Sequence, residues 1–196
     1  MSMHSEELLP EIENRKSVTN WRNAPIRSEH WDLMLEAARR APSSWNHQPA
    51  RYVLVTDREH IQRLSQSLHR TNGWAVNAAA LVVLAATPED DDRVAGKDYY
   101  LYDCGLSMMS MIYQAQALGI TSRQMIGWDE EQVKGCLMIP SRYRVVVITA
   151  IGYVSDSLAS TKLADWKRTL TGQQKRYNAQ HTVYWQRWGE GGSSLR

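Results

Sequence analysis

The chain has no phenylalanine, only two cysteines and six prolines, and almost no net charge: +2 from 23 basic and 21 acidic side chains in 196 residues. Each scarcity excludes something. Cys104 and Cys136 lie far apart within apolar stretches, so they make no metal-ligand spacing and are expected to be buried and reduced. A near-neutral balance without a basic stripe excludes a dedicated nucleic-acid binder. No apolar run is long enough to cross a bilayer and no secretory leader is visible, so a cytoplasmic protein with no membrane contact is expected. The six histidines show no HExxH pattern, and the GxSxG, Walker A and GxGxxG motifs are all missing. With no protein nucleophile or metal set in view, a cofactor is left to supply any chemistry.

What is present fits one folded domain over residues 1–196, with 43% hydrophobic and 22% charged residues. Ser5 offers a helix N-cap ahead of Leu8, Leu9 and Ile12, with Pro10 making that start irregular. Residues 18–25 read as a loop. A helix opens at Ser28, carries Trp31, Met34, Leu35 and Ala38 at helical spacing, and stops before Pro42. Tyr52–Val55, Ala79–Ala86 and Arg144–Ile151 read as strands. Ile61, Leu64 and Leu68 mark another helix. A long helix is expected from about Asp98 to Leu118, closed by Gly119, with Met108, Met109 and Met111 in the core, and a shorter one follows an Asp129 cap. Glu89–Asp92 reads as a solvated acidic loop. Helices that precede and separate three or four strands define an α+β or mixed α/β domain. The aromatic tail at 183–188 is expected to cover a neighbouring surface.

Two segments have binding chemistry. Arg15, Lys16 and Ser17 place two cations and a hydroxyl where a helix gives way to a loop. Such a set holds an anion through charge-assisted hydrogen bonds of about 1.5–3 kcal/mol each, or else merely offsets the helix dipole. Between Pro42 and Pro49, the turn Ser43-Ser44-Trp45-Asn46-His47-Gln48 collects donors and acceptors at close spacing. It suits a polyol chain or the edge of a planar heterocycle, with Trp45 able to lie against a ring; a plain hydrophilic loop is the alternative. His47 reads as a polar loop residue.

The segment from Arg15 to Trp21, followed by Pro25-Ile26, resembles the opening of the nitroreductase-like FMN family. Ala41-Pro42-Ser43-Ser44-Trp45-Asn46-His47-Gln48-Pro49 is similar to that family's second signature. Asp103-Cys104-Gly105-Leu106 with Ala117-Leu118-Gly119-Ile120 resembles its central helix, and Ile126-Gly127-Trp128-Asp129 its turn at the flavin's reactive centre. Ile139-Pro140, Ile151-Gly152-Tyr153 and the Trp185–Gly189 tail complete an ordered match along nearly the whole chain.

The resemblance implies a central, mostly antiparallel sheet flanked by helices in an interlocked homodimer. The C-terminal segment 153–196 would pack on the partner subunit, and two FMN sites would lie at the interface. Arg15, Lys16, Ser17 and Thr19 would serve the phosphate from one subunit, with Lys175 and Arg176, or alternatively Lys167 and Arg168. Pro42, Ser43, Ser44, Asn46 and Gln48 would come from the other. Asn72 would stand near the flavin edge, and the backbone of Ile126 and Gly127 would serve flavin N5, with no catalytic side chain. The implied reaction is ping-pong hydride transfer from NADH or NADPH to a nitroaromatic, quinone or similar small conjugated acceptor. The alternatives are a flavin oxidase, dehydrogenase or dehalogenase on a dedicated substrate, or a non-catalytic flavin-binding protein. Thr19 replaces a cation that the family often carries, a loss expected to weaken FMN binding by about 1–3 kcal/mol unless Lys175 or Arg176 compensates.

Overall fold

Ala80–Ala86 is the strand that the sequence marks most strongly, and every one of its residues is buried. An apolar run of this length cannot face water on either side, so it must sit inside a sheet covered on both faces. In the computed structural model, which describes residues 8–155, 177 and 182–188, this strand is β2. It lies in a four-stranded sheet with β1 (Arg51–Val55), β6 (Arg144–Gly152) and β5 (Thr121–Met125), in the order β1-β2-β6-β5. All three pairings are antiparallel, and a bulge interrupts the β2–β6 register at Leu84/Ala85.

Alternation along β2 divides the core in two. Val82 and Leu84 face α2 (Ser28–Arg39) and α4 (Tyr100–Ala117), through Met34, Ala38, Cys104, Met108 and Ile112. Leu81 and Val83 face the opposite cluster, with Ile61 and Leu64 of α3 (Arg58–Ser65) and Val133 of α5 (Glu130–Leu137). Two of the helices begin on aspartate caps. Asp57 caps α3 by accepting from His60 N, and Asp129 caps α5 by accepting from Gln132 N. Gly119 (φ 71°) ends α4 in the left-handed conformation expected of it.

Pro10 does not interrupt the first helix but begins it: α1 is Pro10–Asn14, with the proline at a position where a missing N–H costs nothing. The expected Ser5 cap lies outside the described residues. Two elements had no apolar run to announce them. β5 is built from Thr, Ser, Arg, Gln and Met. The hairpin β3 (Arg93–Val94) with β4 (Lys97–Asp98) has two residues per strand and turns on Ala95 and Gly96, both at positive φ.

The chain divides into two compact units, Met1–Ser160 and Thr161–Arg196. In the first, Trp21 bridges to Val154, and Arg22 N donates to Tyr153 O (2.7 Å). Tyr153, Val154 and Ser155 thereby extend the sheet against the same chain's N-terminal loop. In the second, Tyr184 and Trp188 stack at 4.7 Å. Among the described residues, no helix is long and apolar enough to cross a membrane. Neither Cys104 nor Cys136 forms a disulfide; Cys104 is buried, Cys136 is only half-buried, and burial pushes the Cys104 thiol up to about 12, so it stays protonated and inert.

Candidate functional site

The turn between α2 and β1 is conformationally expensive. Trp45, Asn46 and Gln48 have φ of 43°, 61° and 51°, a left-handed region that costs a residue with a Cβ about 1 kcal/mol or more. The backbone is held there by side chains. Ser44 N donates to Asp103 Oδ2 (2.6 Å) and Ser44 Oγ to Asp92 Oδ2 (2.5 Å). Ser43 Oγ accepts from Gln48 N (2.9 Å), and Gln48 Nε2 donates to Asn46 O (3.2 Å). The hydroxyls of Ser43 and Ser44 and the amide of Gln48, expected as ligand contacts, thus spend these bonds inside the protein. Trp45, 88% exposed, and Asn46 lie on the turn's outward side, where His47 and Gln48 are exposed as well. Beside it, a hollow of about 260 Å³ is lined by Pro42, Gln48, Tyr52, Asp103 and Ser107 among others.

The acidic loop is not a solvated one. Asp91 keeps its whole side chain out of water and accepts from Asp92 N (2.7 Å), with His47 Nδ1 at 3.1 Å from its Oδ1. Arg51 stands 3.5 Å from Asp90. The loop therefore clasps the polar turn. Asp103, on the buried face of α4, completes the clasp, and burial, followed by the charge of Asp91, holds its carboxyl above the ordinary range. Sequence reasoning missed Asp91, Asp92 and Asp103 as structural partners of the turn. The available signal was Asp103 itself, a carboxylate among apolar neighbours on a buried helix.

The second group lies around Ile126 and Gly127. Asn72 is buried, and its Nδ2 donates to Ile126 O (2.8 Å) and Gly127 O (3.4 Å). His69 N also donates to Gly127 O (2.9 Å), and Leu68 bridges to Trp128. Gly127 has φ 86°, and a Cβ there would meet His69 Cβ at 3.2 Å. Asn72, expected near the flavin edge, positions this turn through these bonds. Ile126 is 87% exposed, so this turn lies at the surface.

Arg15 immediately follows α1, and its Nη1 donates to Ser17 Oγ (3.5 Å), while Lys16 is exposed and Thr19 is buried. Val18 and Trp21 pack on the same core face as Leu68, Ala75 and Met125. Lys167, Arg168, Lys175 and Arg176 lie outside the described residues.

The expected site residues therefore separate. The polar turn leads into β1 and packs with α2 and α4; the Ile126–Gly127 turn leaves β5 on the other face. β1 and β5 are the two edges of the sheet, three strand spacings or roughly 14 Å apart.

An antiparallel sheet between two helical layers, with a clasped polar turn at one edge and a glycine turn at the other, defines an α+β protein of a particular class. The Nitroreductase family matches residues 12–72 and 66–153, and the chain belongs to that family. It is 30% identical over 156 residues, 77% of this chain and 87% of the relative, to an Archaeoglobus fulgidus protein provisionally named NADH dehydrogenase/NAD(P)H nitroreductase. A Thermus thermophilus NADH dehydrogenase is 27% identical, covering 72% of this chain and 84% of that one. Among solved structures, one described as an oxidoreductase containing FMN superposes with a TM-score of 0.78 at 26% identity, over 94% of each chain. A nitroreductase family protein from Clostridium novyi NT gives 0.71 at 26%, over 77% of this chain and 87% of its own.

Proposed function

We propose that this chain is an NAD(P)H-dependent flavin oxidoreductase whose FMN site is assembled from two copies of the chain. The separation of the two residue groups supports this reading most: groups on opposite edges and faces of one sheet do not converge on one ligand, but two copies related by a twofold axis bring one group of each together. Family membership and the names of the relatives support the cofactor and the reductant.

The residues present fit FMN. Arg15 and Lys16 supply two cations and Ser17 a hydroxyl for a phosphate, with Lys175 and Arg176 reserved for the same end. Asn46, from the second copy, offers an outward amide to a heterocycle edge, and Trp45 beside it excludes water from a ring face. Ile126 and Gly127 present backbone at the surface, held by Asn72. FMN held by these residues would supply hydride transfer from NADH or NADPH to an electron-poor acceptor such as a nitroaromatic or quinone. No side-chain acid is assigned; protons come from solvent.

Absorbance of the purified protein and anaerobic titration with NADH and NADPH test the proposal. A flavin spectrum bleached by one of them and restored by a quinone or nitroaromatic is expected. A colourless protein that takes up no added FMN would overturn it.

A further inference from the structure

We propose that His47, Asp91 and Asp92 bind a divalent transition-metal ion that locks the acidic loop onto the polar turn. His47 Nδ1 lies 3.1 Å from Asp91 Oδ1 and 3.9 Å from Asp92 Oδ2, and one ligand atom from each of the three falls within 4.8 Å of the others. Two atoms each about 2.1 Å from one ion stand about 3.0 Å apart at a right angle and about 3.9 Å apart at a wide one. Both separations are those of ligands around a shared ion, reached with small side-chain adjustments. One imidazole nitrogen and two carboxylates form a set that suits zinc or manganese better than the all-oxygen ions magnesium and calcium.

The second observation concerns Asp91. Its side chain is completely buried, and its Oδ2 has no hydrogen-bond partner. A buried carboxylate oxygen left without a donor favours a cation beside it. Arg51, the nearby guanidinium, is engaged at 3.5 Å with Asp90 and by the carbonyls of Gln48 and Ala50. The side chain of His47 is 36% exposed, which gives an ion a way in. Since Ser44 Oγ donates to the same Asp92 oxygen, the ion would stiffen the turn that carries Trp45 and Asn46.

The test is thermal unfolding of the full, tag-free protein as purified, with EDTA and then with 100 µM Zn²⁺. At an affinity of about 10 µM, 100 µM Zn²⁺ is expected to raise the Tm by about 3–6 °C, and equilibrium dialysis against 100 µM Zn²⁺ should show about one bound equivalent. His47→Gln and Asp91→Asn should each lose most of the shift, whereas Asp57→Asn, which removes the exposed His60–Asp57 pair (2.8 Å), should keep it. His47→Gln, at an exposed position, stands in if Asp91→Asn fails to fold. The proposal is overturned if Zn²⁺ gives no shift, if His47→Gln shifts as the parent does, if Asp57→Asn abolishes the effect, or if Mg²⁺ acts while Zn²⁺ does not. None of these readouts needs a flavin, so a failure here leaves the flavin reading standing.

Discussion

The turns at Pro42–Pro49 and Ile126–Asp129 both force the backbone into positive φ, and they do so by opposite means. The first uses residues with side chains, Trp45, Asn46 and Gln48, and restrains them with carboxylates from the 90–92 loop and α4. The second uses a glycine, which takes φ 86° without strain, and restrains it with an amide and a backbone N–H. One turn stores strain and depends on charge; the other is nearly free of both. The two should therefore respond in opposite directions to the same kind of substitution.

The largest effect is expected at the glycine. Gly127→Ala puts a Cβ against His69 and requires left-handed backbone of alanine, costing about 1–3 kcal/mol in urea unfolding. A cost below about 0.5 kcal/mol, the scatter of ordinary surface substitutions, would mean that the turn relaxes freely. Trp45→Gly should do the reverse. It removes a side chain that packs on little and relieves a strained φ, raising stability by about 0.5–1 kcal/mol.

The two regions should also part company with pH. Asp103 has a raised folded pKa, so its contribution is fully present below the unfolded value of 3.8 and is lost as pH climbs through the folded one. Asp103→Asn keeps an acceptor for Ser44 N–H and should remove that loss. With EDTA present, the variant is expected to gain about 1 kcal/mol over the parent at pH 7, the scale of a relieved like-charge contact. Glu130, at the start of α5 after the second turn, behaves oppositely. Bonds from Arg144 (2.9 and 3.0 Å) and from Val145 N hold it down to about 2. Its contribution is present above 4.5 and lost as pH falls through about 2. Glu130→Gln should flatten that acid limb and cost less than about 1 kcal/mol at neutral pH, because the pair is partly solvated. Thermal unfolding across pH 2–8 (roughly the span where carboxyls titrate) checks both.

The sequence made the fold legible where side chains repeat with a period. Ala80–Ala86, the Met34–Ala38 stripe and the Asp129 cap are all where periodicity and capping place them. No apolar run announces β5, a polar edge strand, and only the resemblance of Ile126–Asp129 to a strand-to-helix turn implies it. The site was half legible. The residues of the polar turn were visible as a motif, but which of them face outward depends on contacts across 48 and 59 residues of chain, Ser44 to Asp92 and Ser44 to Asp103. No local pattern encodes such contacts, and an acidic run is as easily a solvated loop as a clasp. The opposite placement of the two groups likewise follows from strand order, which local sequence does not carry.

That opposite placement underlies the two-chain site, and mixed dimers test it most directly. One chain would carry Arg15→Ala and Lys16→Ala, the other Asn46→Ala, each with its own affinity tag, and the heterodimer would be isolated through both. If each FMN is held by the basic segment of one chain and the polar turn of the other, one site in the heterodimer is doubly damaged and the other is intact. Close to one tightly bound FMN per heterodimer is the predicted result, with little in either parent homodimer. If neither heterodimer site retained FMN, while the unsubstituted dimer held two, both groups would serve a site within one chain, and the account would be contradicted.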